Sequence, residues 1–101
     1  MTVKTSCAIS DETLTTAAEV IKCLGHPLRL RLLEALESGE KSVSQLQEYS
    51  GATQTMVSQQ LTTLKGRGIV ASRREGAHNY YSIIEPKVAA ILNCIRSCDP
   101  E

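Results

Sequence analysis

The chain has 101 residues, 42% of them apolar, with 11 basic and 11 acidic side chains and so no net charge. That length holds one domain, residues 1–101, with a core small enough that dimerisation is a reasonable expectation, and the neutral balance argues against a nonspecific nucleic-acid coat. With neither Trp nor Phe, the core is built from Leu, Ile, Val and Ala, which suits helices better than a thick sandwich. No run reaches the roughly 18 apolar residues of a membrane span, and residues 1–10 lack the apolar centre of a secretory signal. A soluble, cytoplasmic protein with no membrane partner is expected.

After an N-terminal arm, residues 1–10, Ser10 or Asp11 caps a first helix with Leu14, Ala17, Ala18, Ile21 and Leu24 at helical spacing, and Gly25 ends it. His26-Pro27 restarts the chain as a second helix, whose stripe of Leu28, Leu32, Leu33 and Leu36 stops at Ser38-Gly39. Ser42 caps a short third helix carrying Val43 and Leu46. Ser50-Gly51-Ala52 makes a tight turn, and Thr53 caps a fourth helix with Met56, Val57, Leu61 and Leu64 on its buried side. Residues 42–66 therefore read as a helix-turn-helix.

From Ile69 the period becomes strand-like, and Ile69 to Arg74 and His78 to Ile83 flank Glu75-Gly76-Ala77, where Gly76 supplies the positive φ of a hairpin turn. Residues 69–83 form a wing. Glu85-Pro86 opens a last helix, residues 86–98, with Val88, Ile91, Leu92 and Ile95 on one side. The expected fold is mainly α with a small β-hairpin, a winged helix-turn-helix in the order α-α-α-α-β-β-α.

Although the chain is neutral, its charge is uneven. Between Thr53 and Tyr81 stand Lys65, Arg67, Arg73 and Arg74 against Glu75, a net +3 that leaves −3 for the remainder. The fourth helix carries Gln54, Thr55, Ser58 and Gln59 away from its apolar row. A helix fits the major groove, and Gln suits bidentate contact with adenine, so these four are the expected base readers. Lys65, Arg73 and Arg74 are placed for phosphate contacts, which fix register and supply the salt-dependent part of affinity. Glu75 at the wing tip would be repelled by DNA unless it pairs with an arginine.

These motifs together resemble the ArsR/SmtB repressors. His26-Pro27-Leu28-Arg29-Leu30, Leu32-Leu33-Glu34-Ala35-Leu36 and Ser42-Val43-Ser44-Gln45-Leu46 resemble that family's second and third helices. Thr53 to Leu61 resembles its recognition helix, and Arg73-Arg74-Glu75-Gly76 with Tyr80-Tyr81-Ser82 resembles its wing, so the likeness covers about residues 12–97. The resemblance implies a homodimer formed by the first and last helices, which binds an inverted repeat in double-stranded DNA and leaves it when an inducer binds. The chain departs from the family pattern in three places. Gln60 stands where many members carry His. Ser42-Val43-Ser44 replaces the Cys-Val-Cys run of members that sense arsenite or cadmium at the third helix. On the last helix, Glu85, Lys87, Cys98 and Glu101 stand where zinc and nickel sensors carry an Asp/His set.

Four cysteines in a short cytoplasmic chain read as thiols or thiolate ligands and not as a disulfide framework. Cys94 and Cys98 are one helical turn apart on the last helix, about 6 Å along its axis and on one side. Two thiolates can chelate from there. Arsenite, cadmium or lead takes a third, which Cys7 or Cys23 would supply from the same or the other subunit. Cys23 lies about 18 Å along the first helix, too far for Cys7 on the arm to meet it easily within one subunit. No resident cofactor is expected beyond such an inducer. His26 reads as a helix-start residue and His78 as part of the wing.

The main competitor is a thiol redox or persulfide switch. Relatives that sense sulfide or oxidant through two cysteines place one in the second helix, near Glu34 here, and this chain has only the last-helix partner. An enzyme is excluded for want of a nucleophile–base pair, a Gly-rich phosphate loop or an HExxH run. A winged-helix protein-interaction module is the remaining alternative of a different class.

Overall fold

A computed structural model describes residues 8–98. The elements run α1 (Asp11–Leu24), α2 (Pro27–Leu36), β1 (Lys41–Ser42), α3 (Val43–Ser50), α4 (Gln54–Gly66), β2 (Val70–Glu75), β3 (His78–Ile83) and α5 (Lys87–Ser97). Each helix start follows from a local donor problem, because the first backbone N–H groups of a helix have no partner within it. The Ser10 hydroxyl accepts from the Thr13 N–H at 3.1 Å, and His26 Nδ1 accepts from the Leu28 N–H at 3.2 Å, which gives His26 the helix-start role expected of it. Ser42 and Gln45 form a reciprocal capping box. Thr53 Oγ1 accepts from the Met56 N–H at 3.2 Å.

The sheet has three strands in the order β1-β3-β2, all antiparallel. The third strand departs from the two-stranded hairpin expected above: Lys41 pairs with Tyr81 and Ser42 with Tyr80. Two residues are too few to show a strand period, so only the edge they bind reveals them. In the β2–β3 ladder Ser72 faces Tyr81, Arg73 faces Tyr80, Arg74 faces Asn79 and Glu75 faces His78. Gly76 turns between the strands with φ 62°, a conformation that costs a side-chain-bearing residue more than glycine.

Leu32 and Leu33 of α2, Leu46 of α3, Val57, Leu61 and Leu64 of α4, Ile69 and Val70 leading into β2, and Val88 of α5 are fully buried and form one core. Among the described residues no buried side-chain nitrogen or oxygen lacks a hydrogen-bond partner. Ion pairs tie the peripheral helices in, from Arg67 after α4 to Glu19 on α1 and from Arg96 on α5 to Glu37 after α2.

The outer helices bury only part of the apolar stripes that their spacing marks. On α1 the buried side chains are Val20, Cys23 and Leu24, whereas Leu14 and Ile21 are 49% and 63% exposed. On α5 Val88 and Leu92 are buried while Ile95 is 45% exposed. Met56, expected on the buried side of α4, is 46% exposed. It precedes Val57, and a helix rotates each successive side chain by about 100°, so both cannot face the same narrow core. No described helix is long and apolar enough to cross a membrane.

Candidate nucleic-acid interface

The turn between α3 and α4 sets the angle at which α4 projects. Gly51 takes φ 75° as the C-cap of α3, and its N–H donates to the Gln47 carbonyl at 2.9 Å. Three residues later α4 begins. Its row of Val57, Leu61 and Leu64 is buried, which leaves Gln54, Thr55 and Gln59 exposed and Ser58 half-buried at one flank. Those four side chains therefore lie outside the core, on the surface of a rigidly seated helix. Thr62 is exposed one turn beyond Ser58, whose carbonyl accepts from its hydroxyl at 2.9 Å. Thr62 is not among the four expected base readers, and Met56, expected on the buried side, is exposed beside them. Thr62 continues the i, i+4 row from Ser58, a spacing that would have found it.

Gln60 behaves differently from its neighbours. Its Oε1 accepts from Arg29 Nε on α2 at 2.6 Å, so its half-buried amide oxygen is committed to α2. The family departure at this position thus falls on a residue turned towards α2.

Lys65, in the last turn of α4, donates from Nζ to Ser72 Oγ on β2 at 2.8 Å. Side chains alternate along a strand, so Arg74 shares the Ser72 side of the wing and Arg73 takes the other. Arg74 is exposed and, among the described residues, makes no ion pair. Arg73 is exposed too but is held by two carboxylates. Its Nε and Nη2 donate to the two carboxylate oxygens of Glu40 at 2.7 and 2.9 Å, and its Nη1 donates to Glu75 at 2.7 Å. Its guanidinium carbon lies 5.2 Å from the Tyr80 ring centre. The hydrogen bonds from Arg73 hold the Glu40 carboxyl below its ordinary pKa, and those to Glu40 and then Glu75 raise that of the guanidinium. The arginine partner that Glu75 needs is therefore Arg73.

Of the cysteines, Cys94 and Cys98 are free and exposed on α5 and at its C-cap, and Cys23 is a free thiol buried in the core. Cys7 lies outside the described residues. Cys98 borders a cavity of 740 Å³ between α2 and α5, opposite Arg31 and Glu34. Among the described residues of one chain no three of His, Cys, Asp or Glu stand in metal-binding proximity, and Cys23 lies in the core while Cys94 and Cys98 are on the surface.

Comparison with known proteins adds to this geometry. Residues 26–72 match the family described as "Bacterial regulatory protein, arsR family". A biofilm growth-associated repressor of Xylella fastidiosa is 40% identical over 78 residues, covering 77% of this chain and 68% of that protein. A probable mercury resistance operon repressor of Streptomyces lividans is 35% identical over 81 residues, covering 80% and 65% of the two chains. A Mycobacterium bovis domain solved as a homodimeric winged helix-turn-helix DNA-binding domain superposes with a TM-score of 0.73 at 33% identity, covering 91% of this chain and 88% of that one.

Proposed function

The chain belongs to the arsR family of bacterial regulatory proteins, DNA-binding transcriptional repressors and not enzymes, and from that footing we propose how it reads DNA and what releases it. The protein is a homodimer joined through α1 and α5. It binds an inverted repeat with the exposed residues of α4, Gln54, Thr55, Ser58 and Gln59, in successive major grooves. Basic residues at the end of α4 and on the wing hold the phosphates. A soft metal ion or metalloid, arsenite, cadmium or lead, bound by thiolates at Cys94 and Cys98, releases it.

The observation that carries the inducer reading is the placement of two free, exposed thiols one turn apart on α5, close to the exposed apolar side chains of that helix. Soft ions prefer thiolate sulfur. With Cys23 sealed in the core, the third thiolate comes from Cys7 or from the partner's α5. The similarity to a mercury resistance operon repressor supports a thiolate-bound inducer of this class. The dimer reading is supported by the unpartnered Leu14, Ile21 and Ile95 and by the homodimeric neighbour.

The mechanism is linkage. An ion that binds the DNA-free dimer more tightly than the bound one weakens operator affinity by the same factor, typically about 5- to 150-fold. Closing a site on the dimer helices changes the separation of the two α4 helices, which must stay about 34 Å apart to engage consecutive half-sites.

Fluorescence anisotropy of the reduced protein on its own promoter DNA, titrated anaerobically with arsenite, cadmium and lead, tests this reading. Release by one of these ions is the expected result. Release only by peroxide or a persulfide donor, reversed by a reductant, would replace the metal site with a thiol redox switch.

A further inference from the structure

Arg73 and Arg74 are adjacent in sequence but lie on opposite faces of β2. On one face stand Arg73, Glu75, His78 and Tyr80, joined by Glu40 from the loop before β1. His78 and Tyr80 meet edge to face with ring centres 6.3 Å apart. On the other face stand Ser72, Arg74, Asn79 and Tyr81, joined by Lys65 from α4. The first face sets two carboxylates against one guanidinium and is locally acidic. The second carries two cations and, among the described residues, no carboxylate paired with either.

We infer that the two arginines have opposite tasks: Arg73 positions the wing from its acidic face, and Arg74 with Lys65 presents the charge that the DNA backbone meets. The inference rests on the reading of the protein as an operator binder and assigns its phosphate contacts more narrowly than the sequence does. A salt-dependent phosphate contact needs an unneutralised cation, and Arg73 already donates three hydrogen bonds to two carboxylates while its face lies over Tyr80. A phosphate approaching that group also meets the carboxylates of Glu40 and Glu75.

Arg73 nevertheless affects binding, through geometry. The sheet order is β1-β3-β2, so the bridge from Arg73 on β2 to Glu40 beside β1 spans the middle strand over Tyr80. Tyr80 itself pairs with both Ser42 and Arg73. β1 holds β3 through only two residues, and the Glu40–Arg73 bridge braces the outward half of the hairpin against the body. Without it the wing gains freedom that must be lost again when DNA binds.

The test is the salt dependence of binding to a labelled random-sequence duplex, which any operator binder holds through its phosphates. Losing one phosphate contact per subunit makes the slope of log affinity against log salt shallower by about two for a dimer. Arg74→Gln and Lys65→Gln are expected to show that change. Arg73→Gln is expected to weaken binding about threefold to tenfold with the slope retained. The charge-swapped Glu40→Arg/Arg73→Glu protein is expected to bind better than Arg73→Glu alone, because the bridge re-forms with reversed polarity. A slope that falls as far for Arg73→Gln as for Arg74→Gln, or a swapped protein no better than Arg73→Glu, overturns the inference and leaves DNA binding standing. Absence of salt-dependent binding by the unsubstituted protein overturns the operator-binding reading, and the inference with it.

Discussion

Arg29 on α2 donates from Nε to Gln60 Oε1 on α4 at 2.6 Å, and the same guanidinium donates from Nη1 to the Cys23 carbonyl at the end of α1 at 2.7 Å. One side chain thus joins the helix proposed to read DNA to a helix proposed to hold the dimer together. A carbonyl near a helix C-terminus is a favourable place for a cation, and the half-buried amide oxygen has no cheaper partner than the guanidinium beside it.

Removing this link should cost both stability and DNA affinity. Hydrogen bonds to charged groups contribute about 1.5–3 kcal/mol each, so Gln60→Ala is expected to lower unfolding free energy by about that amount in urea. Gln60→Glu, which keeps an acceptor for Arg29, is expected to retain most of it. Equal losses in the two variants would show that the Arg29 contact does not hold α4.

The exposed apolar residues of the outer helices can be tested by their effect on oligomeric state. Ile21 and Ile84 are comparably exposed, at 63% and 54%, but Ile21 lies on α1 and Ile84 follows β3. Sedimentation of Ile21→Glu is expected to shift the protein towards monomer and to abolish operator binding, with the helix content unchanged. Ile84→Glu should remain a dimer. A monomerising Ile84→Glu with a dimeric Ile21→Glu would place the interface elsewhere.

The cysteines should separate by environment. Cys94→Ser removes an exposed thiol and is expected to leave promoter binding intact while abolishing release by the soft ion. Cys23→Ala removes a core sulfur and is expected to cost about 1 kcal/mol of stability with release intact. A fully responsive Cys94→Ser protein would exclude the α5 site.

Glu34 gives a pH dependence. The hydrogen bond from Arg31 is the main reason its carboxyl sits below the ordinary carboxylate range, against a smaller opposing effect of burial. A carboxylate with a depressed folded-state pKa stabilises the fold fully above its unfolded value and loses that contribution as pH falls through the folded value. The stability difference between the unsubstituted protein and Glu34→Gln should therefore be constant near neutrality and shrink below about pH 4. Urea midpoints at several pH values measure it, and the effect should be small because both partners are partly solvated.

The amino-acid sequence alone determined the helix boundaries, the turn between α3 and α4 and the hairpin, because caps and turns are decided within about four residues. Ser10, His26, Ser42 and Thr53 satisfy N–H groups two or three positions away, and Gly51 and Gly76 supply positive φ where the chain reverses. Only the tertiary structure decided the rest. The Arg29–Gln60 and Arg73–Glu40 contacts join residues 31 and 33 positions apart, so no local pattern could turn Gln60 towards α2 or give Arg73 and Arg74 different neighbours. β1 exists because β3 offers it an edge. Leu14, Ile21 and Ile95 carry apolar spacing yet stay exposed, because periodicity marks a surface that avoids water without saying whether its own chain or another covers it.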